Sequence, residues 1–387
     1  MTRFIDRTIT KFIREQKTKF PILGITGPRQ SGKTTLLKHL FKDYTYVSLE
    51  NPDIRAFASD DPNGFLKKYD SNVILDEVQR VPELFSYIQT VVDESQQMGQ
   101  FILSGSQNFH LLNNITQTLA GRVALFKLLP LDFNELKNEH LLAKSYPETC
   151  VRGFYPALFD RDIDSSVFYS NYINTYLEKD VTELINIRDI NSFRTFLALC
   201  AARVGQLLNL NALANDCNIS QPTAKAWLSI LESSYIVFLL QPYHENFNKR
   251  LVKTPKLYFY DSGLLCHLLN IRSPEDMEEN RLKGNIFESM IISEFQKKNF
   301  HQYLHQNYYF WQDSNNHEID LLIKTAKGFD IFEVKATQTI KLSLFKGMDY
   351  FEEIADNAAI KKTLIYGGTE NQERSKYKVI GWPNISK

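Results

Sequence analysis

Short apolar runs, separated by mixed polar stretches, dominate the first third of the chain. They are Pro21-Ile22-Leu23-Gly24-Ile25-Thr26, Tyr44-Thr45-Tyr46-Val47-Ser48-Leu49, Val73-Ile74-Leu75, Gln100-Phe101-Ile102-Leu103 and Val123-Ala124-Leu125-Phe126-Lys127-Leu128. Runs this short and this rich in β-branched and aromatic residues read as strands buried on both faces of a parallel sheet. A helix is expected to open at Thr35-Leu36-Leu37, and another near Phe65. Asn51-Pro52 is expected to end the second strand and lead into a polar stretch. Ile5, Ile9, Phe12 and Ile13 recur at helical spacing, which predicts a packed first helix rather than a targeting peptide. Alternation of strands and helices makes the fold class α/β.

The pattern changes after Pro130, a polar run over 137–144 and Pro147, which mark the exit from that first unit. Residues 153–188 are expected to be mostly helical, with Phe168, Tyr169, Tyr172 and Tyr176 as a packing stripe. Leu210-Asn211-Ala212-Leu213-Ala214 predicts a short helix and Asp216-Cys217-Asn218-Ile219 a turn. Ser220 then caps a second helix, with Pro222 in its first turn and Ala226, Trp227, Ile230 and Leu231 on its apolar face. The β-rich runs 235–240 and 256–260 would be the strands of a wing, so this region reads as a winged helix. Only Thr223 and Lys225 offer the polar contacts a DNA-reading helix needs, so DNA contact and a packing role both stay open. Towards the end, a helix from Gly284 through Phe295, strands over 317–323 and 329–335, a helix over 344–355 and strands over 363–366 and 377–380 are expected.

Composition narrows the function classes. The chain has 387 residues, 43% of them hydrophobic, which suits a globular protein of two or three domains. Lysine plus arginine number 45 and so do the acids, so no overall charge draws the chain to nucleic acid. Cys150, Cys200, Cys217 and Cys266 show no metal-type spacing and read as reduced thiols of a cytoplasmic protein. No apolar run approaches membrane-spanning length, so no membrane partner is expected. His301, His305 and His317 show no metal-ligand spacing and read as ordinary polar residues.

Two constellations carry chemistry. The first is Gly27-Pro28-Arg29-Gln30-Ser31-Gly32-Lys33-Thr34, followed by Thr35, which fits the G-x-x-x-x-G-K-[ST] phosphate loop between a strand and a helix. The glycines let backbone N–H groups approach phosphate, Lys33 reaches the β- and γ-phosphates, and Thr34 offers a hydroxyl to Mg²⁺. Asp76 and Glu77 end a buried strand; Asp76 would hold the metal and Glu77 would orient or deprotonate the attacking water. Ser104, at the end of the next strand, heads the polar string Ser104-Gly105-Ser106-Gln107, which could hydrogen-bond the γ-phosphate. Arg122 is a candidate for stabilising phosphate charge, in cis or from a neighbouring subunit; a structural salt bridge is the competing reading.

The second constellation is Glu288 on a helix, Asp320 on a strand, and Glu333 and Lys335 two apart on the next strand. Residues two apart share a strand face, so the three acids and one lysine would gather as a Mg²⁺ site for phosphodiester hydrolysis.

The strings around the phosphate loop, Leu75-Asp76-Glu77-Val78-Gln79-Arg80-Val81-Pro82-Glu83-Leu84 and Leu119-Ala120-Gly121-Arg122 resemble the prokaryotic AAA+-like P-loop ATPases. More narrowly, they resemble the branch whose C-terminal region is related to PD-(D/E)xK nucleases. Glu288, Asp320, Glu333 and Lys335 match that nuclease pattern, with Ile319 where the pattern has proline. The resemblance implies a five-stranded parallel sheet, ATP with Mg²⁺, and self-association into a homo-oligomer. The expected layout is an ATPase core over 1–147, a helical connector over 148–192, a winged helix over 193–260 and a nuclease-like α/β domain over 261–387. Two functions follow: an ATP-hydrolysing enzyme acting on or near DNA, or an ATP-gated switch that recruits a protein partner through an inert nuclease-like domain. A small-molecule kinase ranks below both, because no acceptor pocket or lid arginines stand out.

Overall fold

The computed structural model describes residues 4–105, 118–177, 190–244, 252–355 and 358–385. Of the sequence expectations, Ser106, Gln107, the side chain of Tyr176 and the helical stretch over 178–188 lie outside the described residues.

The apolar runs of the first third become β1 (Ile22–Thr26), β2 (Thr45–Ser48), β3 (Val73–Asp76), β4 (Phe101–Gly105) and β5 (Val123–Lys127). They form a five-stranded sheet in the order β2-β3-β4-β1-β5, and every pair is parallel. β1, β3 and β4 are buried at every residue, as their apolar runs require, with the polar Thr26, Asp76 and Ser104 at or near their carboxyl ends, whereas the edge strands β2 and β5 are partly exposed. One face packs on Ile9, Ile13, Leu36 and Leu37, the other on Phe65, Leu84, Phe85 and Ile88. The expected polar stretch after Asn51 is instead a helix, Pro52–Asp60, because the Asn51 side chain accepts from the N–H groups of Asp53 and Ile54. Proline in the first turn costs such a helix no hydrogen bond.

In the middle, Phe168, Tyr169 and Tyr172 are buried against Tyr155, a packing role as expected. Helix Leu210–Asp216 is followed by Gln221–Ser233, which Ser220 caps by accepting from the Thr223 N–H. β6 (Val237–Pro242) and β7 (Lys256–Phe259) pair antiparallel, but they are no free-standing wing. β6 also runs parallel to β8 (Tyr308–Gln312), so the ribbon is the edge of the C-terminal sheet.

That sheet is completed by β9 (Glu318–Lys324), β10 (Gly328–Lys335), β11 (Ala359–Tyr366), β12 (Gln372–Glu373) and β13 (Lys378–Gly381). Its eight strands run in the order β12-β13-β11-β10-β9-β8-β6-β7. A helix of 19 residues, Lys283–His301, packs against β7 and β10 of this sheet and against β5 of the first. A single apolar core runs from Leu129 and Phe133 through Tyr169, Trp227 and Tyr258 to Phe287 and Ile291, joining the middle region to the C-terminal one.

Candidate functional site

The phosphate loop leaves the carboxyl end of β1, beside the carboxyl ends of β4 and β5, the side of a parallel sheet where ligands sit. Positive φ at Gly27, Gln30 and Gly32 curls the loop so that successive N–H groups face one concavity. Glycine is required at position 27, since a Cβ there would lie 2.1 Å from the carbonyl oxygen of Leu128. Gly32, at φ 92°, forms the N-terminal boundary of helix Lys33–Leu40. The buried Lys33 ammonium donates to the carbonyls of Gly27 and Pro28, at 2.8 Å each. Arg29, Gln30, Gly32, Lys33, Thr34 and Thr35 line a cavity of about 490 Å³ together with Asp76 and Glu77. Ser31 is buried, and its carbonyl accepts from Arg7, another residue that lines the cavity.

Asp76 gathers the hydroxyls. Its Oδ2 accepts from Thr34 Oγ1 at 2.8 Å and from Tyr46 OH at 2.7 Å, and its Oδ1 accepts from Ser104. Burial and the Asp76 carboxylate push the Tyr46 phenol far above its ordinary value, so it stays a donor. Ser104 therefore meets the Asp76 carboxylate. Glu77 takes a left-handed φ of 55°, directly after β3, and its carboxylate accepts from the side-chain amide of Gln79. A non-glycine residue in that region stores strain of about 1–3 kcal/mol, which here points the side chain into the cavity.

Arg122 is corrected as an in-cis phosphate ligand. Ile22 pairs with Val123 at one end of the strands and Thr26 with Lys127 at the loop end, so Arg122 lies at the amino end of the strands, opposite the loop. Five residues of strand separate it from the loop, about 16 Å. Its guanidinium instead forks onto Asp93, at 2.5 and 2.8 Å. Arg7 and Arg161 line the cavity, and neither was anticipated. No local pattern marks them, because the fold alone brings their segments to the loop. Tyr46 was equally silent, being one aromatic residue among several on a strand.

The second constellation converges, with additions. Asp320 on β9 lies beside Glu333 and Lys335 on β10. The Lys335 ammonium is 2.9 Å from Asp320 Oδ2 and 2.8 Å from Glu333 Oε2, and the Val334 N–H donates to Asp320 at 2.7 Å. Glu288 approaches from the long helix and accepts from Tyr258 OH on β7. Lys256, also on β7, places its ammonium 3.7 Å from Glu288 Oε1 and in an ion pair with Glu318. Glu288, Glu318 and Asp320 each offer one carboxylate oxygen within 4.8 Å of the others, so the acidic trio brought together here includes Glu318 where Glu333 was expected. Glu318 was legible by the period-two rule, being two residues before Asp320; Lys256 and Tyr258 come from a distant strand and were not.

Burial pushes the Glu288 carboxyl up to about 7, with Lys256 opposing the rise. Burial and the neighbouring Asp320 push Glu333 well above the carboxylate range. Burial alone would raise Asp320 too, but Lys335 and Lys256 hold it below its ordinary value. Burial would lower Lys256, yet Glu288, Glu318 and Asp320 keep it protonated and above its usual range.

A third cluster joins the two. Arg7 donates from Nη1 to the Ser31 carbonyl at 2.8 Å and from Nη2 to the Leu129 carbonyl at 2.6 Å, and its Nε is 3.0 Å from Glu135 Oε2. His301, read from sequence as an ordinary polar residue, is fully buried here: Nε2 accepts from the Leu129 N–H and Nδ1 donates to Asp132 at 2.8 Å. Glu294 accepts from the Phe133 N–H at 2.8 Å and pairs with Lys297, which donates to the Leu131 carbonyl. Burial, against the pull of Lys297, pushes the Glu294 carboxyl up to about 7. Thr26, the last residue of β1, also shares a hydrogen bond of 2.7 Å with Tyr235.

Residues 19–137 match the AAA domain family. Residues 143–275 and 283–385 match two families described as domains of unknown function. Uncharacterized proteins of Mycobacterium tuberculosis and Mycobacterium bovis are each 29% identical over 335 residues, covering 86% of this chain and 74% of theirs. Among solved structures, a Walker-type ATPase of Pyrococcus abyssi has a TM-score of 0.45 at 17% identity, covering 69% of this chain and 96% of that one. The AAA domain match coincides with the phosphate loop and the Asp76–Glu77 strand end, and the chain is a P-loop ATPase. No helix among the described residues is long and apolar enough to cross a membrane.

Proposed function

We propose that this ATPase is a nucleotide-gated switch whose C-terminal region recruits a protein partner. The loop binds the triphosphate, and Lys33 exchanges the carbonyls of Gly27 and Pro28 for phosphate oxygens. The donor set of the Thr34 hydroxyl and the Asp76 carboxylate, 2.8 Å apart, fits Mg²⁺, which when bound neutralises charge on the phosphates. Glu77 takes the proton of the attacking water once Gln79 releases it, and Tyr46 and Ser104 keep Asp76 oriented.

The observation that carries the switch reading is Arg7. It ties the Ser31 carbonyl of the loop to Leu129 and Glu135, and the same 129–135 segment is bound from its other side by Glu294, Lys297 and His301 of the long helix. A change of loop conformation on nucleotide binding therefore acts on a helix that carries Glu288 at its other end. The exposed residues of helix Gln221–Ser233 include a single lysine, Lys225, too few cations to clamp a phosphate backbone, which favours a protein partner over DNA.

Hydrogen exchange on the full chain, with and without a non-hydrolysable ATP analogue and Mg²⁺, tests the reading. Slowed exchange over 129–136 and 294–301, beyond the loop itself, is the expected result. Protection confined to residues 22–40 and 73–80 would refute it. A filter-binding assay with duplex and single-stranded DNA addresses the competing reading: salt-sensitive binding that ATP modulates would move the assignment to DNA.

A further inference from the structure

We propose that Lys256 is a built-in counter-cation that fills the acidic centre and keeps a divalent ion from Glu288, Glu318 and Asp320. The nuclease resemblance implies a metal there, and the residues present do not fit one. A divalent ion needs carboxylate oxygens free to turn towards it. Here one oxygen of each acid is already engaged by a cation or a donor. Glu288 accepts from Tyr258 OH and faces the Lys256 ammonium at 3.7 Å; Glu318 is paired with the same ammonium. Asp320 takes the Lys335 ammonium at 2.9 Å and the Val334 N–H at 2.7 Å, and Glu333 takes Lys335 at 2.8 Å. The resemblance accounts for one lysine in this centre, Lys335, which is partly exposed as a group facing substrate should be. It does not account for the second, whose side chain is only 5% exposed.

The position of Lys256 is built, not incidental. It opens β7, where it pairs with Leu240 of β6 on one side and forms a bridge with Leu207 on the other. The Gly205 N–H donates to the Leu257 carbonyl and the Leu257 N–H to the Gln206 carbonyl, so the lysine's backbone is held on both flanks. Its ammonium lies over the Phe310 ring as well, 5.3 Å from the centroid, at the wall of a cavity that Glu288, Glu318, Asp320 and Lys335 also line. A cation presented this way supplies positive charge to the acids, half that of a divalent ion, and offers no exchangeable coordination positions. The centre is thereby an ion-pair cluster at the wall of a cavity, tying β7 to the long helix and to β9.

Manganese binding to the full chain, without nucleotide, followed by the loss of free Mn²⁺ signal in electron paramagnetic resonance, tests this. Wild type is expected to show no site that Asp320→Asn removes, up to millimolar Mn²⁺. Lys256→Met should gain one site per chain, at least tenfold tighter than any in wild type, and the added Asp320→Asn change should abolish it. Lys256→Gln replaces the methionine variant should circular dichroism show the latter unfolded. A wild-type Mn²⁺ site lost on Asp320→Asn, or folded Lys256 variants that gain none, would overturn the proposal.

Discussion

Glu294→Gln probes the junction between the ATPase core and the long helix. In the folded chain the Glu294 carboxyl is pushed up to about 7 by complete burial, from an ordinary value near 4.5. That difference corresponds to about 3 kcal/mol between the protonated and ionised forms, to order of magnitude. The folded state holds the proton more tightly than the unfolded state does. The stabilisation is therefore complete below about pH 4.5, declines as pH rises and is gone above pH 7. Glutamine keeps the shape of the neutral acid and has no proton to lose. Urea unfolding at pH 4.5 and at pH 8, for wild type and variant, isolates this group, because other raised carboxyls such as Glu288 and Glu333 contribute equally to both proteins. Relative to wild type, the variant should gain about 1–3 kcal/mol between the two pH values. Parallel pH profiles would refute the claim that this junction is sealed from water.

Three further outcomes follow from the nucleotide site. Lys33→Ala should abolish heat of ATP binding in calorimetry, since no other lysine lines the cavity among the described residues. Glu77→Gln should keep nucleotide affinity within a few-fold of wild type and slow turnover about 10²–10⁴-fold in a phosphate-release assay, because the shape stays and the base is gone. Arg122→Ala should leave turnover within about twofold of wild type and affect stability only marginally, as an exposed ion pair does; a hundredfold loss would restore a role for it at a neighbour's phosphates.

The ATPase sheet was legible because a parallel strand buried on both faces reads as a near-continuous apolar run, and Ile22–Thr26, Val73–Asp76 and Phe101–Gly105 are such runs up to their polar carboxyl ends. The phosphate loop was legible because its chemistry depends on contiguous residues. The pairing of Glu333 with Lys335 followed from strand period alone. What escaped was contact between distant segments. Arg7 reaches Ser31 across 24 residues and Leu129 across 122, and neither partner signals the other. His301 has no acidic residue near it in sequence, yet it contacts Asp132 across 169 residues. β8 alternates too weakly in Tyr308-Tyr309-Phe310-Trp311-Gln312 to stand out, and without it the ribbon of β6 and β7 reads as a separate wing.

That ribbon bears on how the molecule can be divided. A fragment starting at residue 283, where one of the matched families begins, would keep β8 and lose the two strands beyond it. Its flank would then present a row of bare amides and carbonyls, the template on which a second chain docks and aggregates. A fragment meant to carry the whole C-terminal sheet therefore has to begin no later than β6, whatever boundaries the family matches draw.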